Sequence, residues 1–156
     1  MDAAERQRLI LQLRDGHRAV TDALAGATDA DLDRRPAPGC WTAREVAHHL
    51  ADSETTAFIR LRRLLAEDGA TIHAYDENEF ARRLHYERPI APSLEVLHAV
   101  RTASADLLDA LGPQEWGRAG THTESGTYSV EGWLEIYAAH AHDHADQIRR
   151  ARRGEP

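Results

Sequence analysis

One cysteine, Cys40, stands in the 156 residues, so no internal disulfide framework can form. No apolar run approaches the length of a membrane span or of a signal-peptide core, and the chain reads as soluble and cytoplasmic. Basic residues form no stripe. Nineteen Lys and Arg against 26 Asp and Glu give a formal net charge of −7 with histidine neutral, which argues against nucleic acid or an anionic membrane surface as a main partner. Strand signal is thin: the one extended candidate, Thr121 to Tyr128, carries Gly126 and few β-branched apolar residues. There is no internal repeat and no low-complexity segment. The length fits one domain, residues 1–156, with enough chain for a core.

What is there is helical periodicity. A first helix is expected from about Ala3 to Ala25, with Leu9, Ile10, Leu13, Val20 and Leu24 inward and Gly16 as a tolerated weak point. Pro36-Ala37-Pro38-Gly39 breaks the chain before a second helix, about Thr42 to Glu67, whose capping-box pair is Thr42 and Glu45. A third starts after Pro92 with Ser93 as N-cap and runs to about Leu111 through Leu94, Leu97, Val100, Leu107 and Leu108. The fourth starts after Ser129 and ends near Arg153, where the arginines around Ala151 favour the C-terminal dipole and Gly154 stops the helix.

Histidines fall on the inward stripes. At about 100° per residue, His140 and His144 differ by roughly 40° and one turn of rise, so both can address one centre. They lie in line with Trp133, Tyr137, Ala141 and Ile148. His142, about 200° away, falls on the opposite face. On the second helix the stripe reads Val46, His49, Leu50, Ser53, Ala57, Leu61 and Leu64, which makes His49 the third candidate ligand, while His48 points to the rim. His17, His48, His85, His98 and His142 are read as surface or rim residues, and Cys40 as packing. Trp41, Trp116 and Trp133 are read as core anchors. Asp52 and Glu54 lie within about a turn of His49, where solvated acids explain them equally well. For His122, beside Glu124, an ordinary loop role and an approach to the metal mouth both stay open.

Helix levels constrain the topology. His49 lies near the start of the second helix and His144 near the end of the fourth, so their levels match only if those helices are antiparallel. An up-down-up-down bundle would leave them roughly 10 Å apart in level. The link from about Asp68 to Pro92, two loops around a short helix, is long enough for a crossover and permits an all-α, up-down-down-up four-helix bundle.

Trp41-Thr42 through His49-Leu50-Ala51-Asp52-Ser53, then Tyr75-Asp76-Glu77-Asn78, His122-Thr123-Glu124-Ser125-Gly126 and Tyr137-Ala-Ala-His140-x-x-x-His144-Ala-Asp-Gln147-Ile148 together resemble the DinB/YfiT superfamily of metal-binding four-helix bundles, most of all its YfiT branch. Single motifs are weak, but the ordered set spans nearly the whole chain. The resemblance implies an up-down-down-up bundle, often dimeric, with one divalent metal, zinc or nickel, on His49, His140 and His144. It implies a hydrolase, or an S-transferase using bacillithiol or a related thiol. Where that branch often has proline, this chain has Thr123. Three neutral ligands leave a fourth position for water or a thiol. The rival class is a non-catalytic metal-binding or sensing bundle, which should close the site with a fourth protein ligand.

Overall fold

The computed structural model describes residues 1–156. Along the chain come α1 (Ala3–Leu24), α2 (Asp29–Leu32), α3 (Ala43–Ala66), β1 (Thr71–Ile72), α4 (Glu77–Arg83), α5 (Ala91–Asp109), β2 (Ala119–His122), β3 (Gly126–Ser129) and α6 (Val130–Arg153). The long helices α1, α3, α5 and α6 are the four expected ones, and their ends follow local chemistry. Thr42 and Glu45 exchange side-chain and backbone bonds at the start of α3 (3.2 and 2.8 Å). The Ser129 hydroxyl accepts from Gly132 N–H at 3.0 Å, and Gly154 ends α6 in the left-handed region at φ +75°.

Cross-helix bonds fix the directions. Arg6 Nε donates to Glu131 near the starts of α1 and α6 (3.0 Å), and Arg152 reaches the Ala23 carbonyl near both ends, so these two run parallel. Trp133 Nε1 donates to the Ala57 carbonyl at 2.9 Å while His144 faces His49, which makes α6 antiparallel to α3. His48 meets Ser93, and farther along the same two helices Glu54 meets Arg101, so α3 and α5 are parallel. Arg14 meets Asp109 and His17 meets His98, so α1 and α5 are antiparallel. The path is up-down-down-up, with α4 and β1 inside the crossover.

The expected inward positions on α1 and α3 are buried, whereas on α5 Leu97 and Leu108 are buried and Leu94, Val100 and Leu107 are half-buried. Three expectations need correction. First, α5 begins at Ala91 with Ile90 at the cap, and Pro92 sits in its first turn, where a missing N–H costs no helical bond. Ser93 is therefore inside the helix, and its hydroxyl serves His48. Second, Gly16 is no weak point: a Cβ there would lie 2.7 Å from Arg101 Cζ and 2.8 Å from Ala141 Cβ, so α1 needs glycine to pass over both. Third, the bundle carries a small sheet of order β1-β2-β3, with β1 and β2 parallel and β2 and β3 antiparallel. Gly126, at φ +81°, turns the hairpin. Thr123 donates its N–H to the Ile72 carbonyl at 2.9 Å, a bond proline could not make.

Candidate metal centre

Two turns into α3, His49 meets His140 and His144 from α6. Ring centroids are 4.6 Å apart for His140–His144, 4.8 Å for His49–His144 and 5.7 Å for His49–His140. One nitrogen from each ring lies within 4.8 Å of the other two, and no cysteine or carboxylate joins the group. Trp41 lies against His49 at 4.7 Å, so this half-buried tryptophan, packed on the edge of the core, also backs the histidine, while Trp116 and Trp133 are buried.

Hydrogen bonds set two tautomers. His140 Nδ1 is 3.1 Å from Glu54 Oε1; a carboxylate only accepts, so Nδ1 carries the proton and Nε2 keeps a lone pair. His144 Nδ1 lies 2.7 Å from Gln147 Oε1 and is oriented the same way. Burial, reinforced by His144 and His140, pushes the His49 pKa down to about 3. Burial and then His140 push His144 down to about 4, opposed by the bond to Gln147. Both imidazoles are neutral at pH 7, the form that can ligate a metal.

Behind His140 stands a buried ion pair. Glu54 is 2 % exposed and Arg101 1 %, and the carboxylate oxygen that receives His140 also accepts from Arg101 Nη1. Arg101 Nε donates to the Leu13 carbonyl (2.8 Å) and Nη2 to that of Tyr137 (3.1 Å). Burial lowers the Arg101 pKa while Glu54 opposes the shift. The pair ties α1, α3, α5 and α6 together at one level and holds the ring of His140.

The rim assignment of His48 is wrong. It is fully buried, with Nδ1 2.8 Å from Ser93 Oγ and Nε2 2.9 Å from the Arg88 carbonyl. Since a carbonyl only accepts, Nε2 is protonated and Nδ1 takes the serine proton, which staples α3 to the crossover. Asp52 is likewise committed, accepting from the Tyr86 hydroxyl at 2.6 Å. His142 donates to the Gln12 carbonyl (3.0 Å) on the α1 side, away from the other two histidines of its helix. His17 stacks on His98 at 4.6 Å, and His85 is exposed beside Glu87. His122 accepts loop N–H groups of Glu124 and Ser125 at 3.3 and 3.4 Å and lies outside the three-histidine group. Cys40 is half-buried.

Sequence reasoning missed Arg101 as a functional candidate and left Glu54 undecided. A faint signal existed: Arg101 falls on the stripe of Leu97, Ala105 and Leu108, a position normally apolar.

Three histidines converging inside an up-down-down-up bundle set the class of protein to compare with, a helical bundle with a candidate metal centre. The family model described as DinB superfamily matches residues 12–148, and the chain belongs to that superfamily. It is 35% identical over 139 residues to a protein of Oceanobacillus iheyensis named "Putative metal-dependent hydrolase OB0782", covering 89% of this chain and 81% of that one. A protein of Halalkalibacterium halodurans with the same functional name is 27% identical over 123 residues, covering 79% and 72%. Among solved structures, YfiT from Bacillus subtilis, titled "a probable metal-dependent hydrolase with an unusual four-helix bundle topology", superposes with a TM-score of 0.91 at 28% identity, over 100% of this chain and 91% of that one.

Proposed function

We propose that His49, His140 and His144 hold one divalent ion, zinc or nickel, and that the chain is a metal-dependent enzyme acting on a small molecule. The observation that carries this is the convergence of three imidazole nitrogens within 4.8 Å, with the second nitrogens of His140 and His144 tied to Glu54 and Gln147. Neutral imidazoles with outward partners are the donor set such ions take. A bound ion supplies Lewis acidity, which brings the pKa of water or of a coordinated thiol down toward neutrality.

The protein's own part is to orient. Glu54 fixes the plane and tautomer of His140, and Gln147 does the same for His144. Trp41 covers His49 and restricts water on that side. Glu54 Oε1 is shared between Arg101 and His140, which gives this carboxylate a positioning part. The absence of a fourth His, Cys, Asp or Glu in the group favours an open catalytic site over a closed structural one. Hydrolysis is the first reading because the relatives are named as hydrolases. Transfer of a low-molecular-weight thiol such as bacillithiol would use the same open position.

Elemental analysis tests the ligands: about one ion per chain is expected in the wild type and in His142→Ala, and most should be lost from His144→Ala. Equal metal in all three removes His144 from the site. A panel of esters and amides, run with and without added thiol and an electrophilic acceptor, separates hydrolysis from transfer. Inactivity of fully metal-loaded protein across both arms favours a binding or sensing role.

A further inference from the structure

On the sheet side of the histidines, along the seam between α3 and α6, lies a second polar cluster: Ser53 and Tyr137, each about one turn from a histidine, with Arg60, Tyr75 and Tyr128 beyond them. Two buried side-chain polar atoms in the chain have no hydrogen-bond partner, Arg60 Nε and Tyr75 Oη, and both belong here. Such atoms are rare in folded proteins because desolvating a donor without replacing its bond is costly. The two side chains are neighbours, with the Arg60 guanidinium carbon 5.9 Å from the Tyr75 ring centroid. The other nitrogens of Arg60 donate to neutral oxygens, Tyr137 Oη at 3.4 Å and the His73 carbonyl at 2.6 Å. Neither balances its charge.

The cluster adjoins the candidate metal centre. The Tyr137 ring is 5.4 Å from that of His140. Tyr75 Oη has beside it the hydroxyl of Ser53, which is buried one turn beyond His49 on the same face of α3. Burial pushes the Tyr75 phenol up to about 12 and raises Tyr128 and Tyr137 as well, so all three keep their protons at neutral pH. Glu77 acts on Tyr75 from an exposed, screened position, and Glu54, which acts on Tyr137, is already paired with Arg101. The free valences are therefore donors beside an uncompensated cation. Arg60 Nε can only donate and the Tyr75 hydroxyl can donate as well, so an acceptor-only anion satisfies both groups and the charge.

We infer that Arg60 Nε and Tyr75 Oη form an anion-recognition subsite that holds a carboxylate or phosphate group of the small molecule whose reacting end faces His49, His140 and His144. Only the position of the reacting end rests on the proposed metal reading; the anion site stands on Arg60 and Tyr75.

The test is NMR of the arginine Nε–H signals of the metal-loaded protein, titrated at constant ionic strength with inorganic phosphate and separately with acetate. One signal, assigned to Arg60 by its loss in Arg60→Lys, should shift saturably with at least one of the two anions, and which of them binds distinguishes phosphate from carboxylate. In Tyr75→Phe the dissociation constant should rise about tenfold, the worth of one charge-assisted bond. The folded stability of that variant should stay close to the wild type, because the hydroxyl removed makes no well-formed hydrogen bond and has only the Ser53 hydroxyl beside it. A non-saturable shift with both anions, unchanged affinity in Tyr75→Phe, or a loss of stability in that variant overturns the inference. His144→Ala separates it from the metal reading. A response retained after the metal is lost supports the anion site by itself, and a response that vanishes with the metal assigns the anion to the ion and overturns it. Metal-replete protein that ignores both anions overturns the subsite and leaves the three-histidine reading standing.

Discussion

The two ends of the bundle core are built from different materials. Toward the sheet, Leu13, Leu61, Leu64, Leu108, Trp133 and Leu134 interlock as large side chains. Toward the opposite end, Ala43, Ala47, Ala141, Ala145 and Ala151 accompany Val20, Val46, Leu50, Leu97 and Ile148. Between the two lies a buried polar layer of Ser53, Glu54, Arg101 and Ser104, and the histidines stand beside it. Burial of apolar surface holds both ends together. The difference teaches that this bundle sets a buried ion pair, whose charges neutralise each other, between its two ends and places its candidate chemistry beside it.

Breaking that layer should have the largest effect. Arg101→Leu strands the Glu54 carboxylate in the interior and should cost about 3–5 kcal/mol by urea denaturation, the range for breaking a buried pair. Arg101→Leu combined with Glu54→Leu should recover much of the loss, since an apolar replacement leaves no unpaired charge. A single variant within experimental error of wild type would mean that the layer contributes nothing and that the two ends form one continuous core.

Acid should act on the site end before the sheet end. In metal-free protein the His49 and His144 pKa values are depressed to about 3 and about 4, so between these values and the unfolded value near 6.5 the unfolded chain binds more protons. Stability from these groups is complete above about pH 6.5 and falls as pH drops toward 4, with a limiting slope of about 1.4 kcal/mol per pH unit for each. Denaturation of chelator-treated protein at a series of pH values measures the slope. The double variant His49→Gln with His144→Gln should flatten it. An unchanged slope would place the acid sensitivity elsewhere.

Gly16→Ala probes the crossing of α1 over the layer. The new methyl meets Arg101 and Ala141, and the overpacking should cost about 1–3 kcal/mol, more than helix propensity returns. A gain in thermal stability would show that α1 can shift there, and would loosen the contrast between a tight layer and adaptable ends.

Much of this was legible beforehand for a local reason. Thr42, Ser129 and Gly154 act at helix ends through neighbours a few residues away, so their roles can be read along the chain. His140 and His144 share a face because four residues nearly complete a turn. Even the antiparallel pairing of α3 and α6 followed from matching the levels of His49 and His144. His48 could not be read in this way: its face is rim-like on the helical wheel, yet the crossover brings Arg88 and Ser93 over it. Strands β2 and β3 fall on the one extended candidate, Thr121 to Tyr128, but β1 was hidden, because it is two residues long and its pairing with β2 joins segments about fifty residues apart.

The chain by itself determined the four long helices, most of their caps, the buried stripes of α1 and α3 and the three histidines that share a centre, because periodicity and capping are properties of residues near one another in sequence. Only the tertiary structure decided that Arg101 crosses the core to Glu54, that Gly16 makes room for it, and that Arg60 Nε and Tyr75 Oη are left without hydrogen bonds. A polar side chain is equally at home in water or against a partner, and which it meets depends on the helix that packs over it.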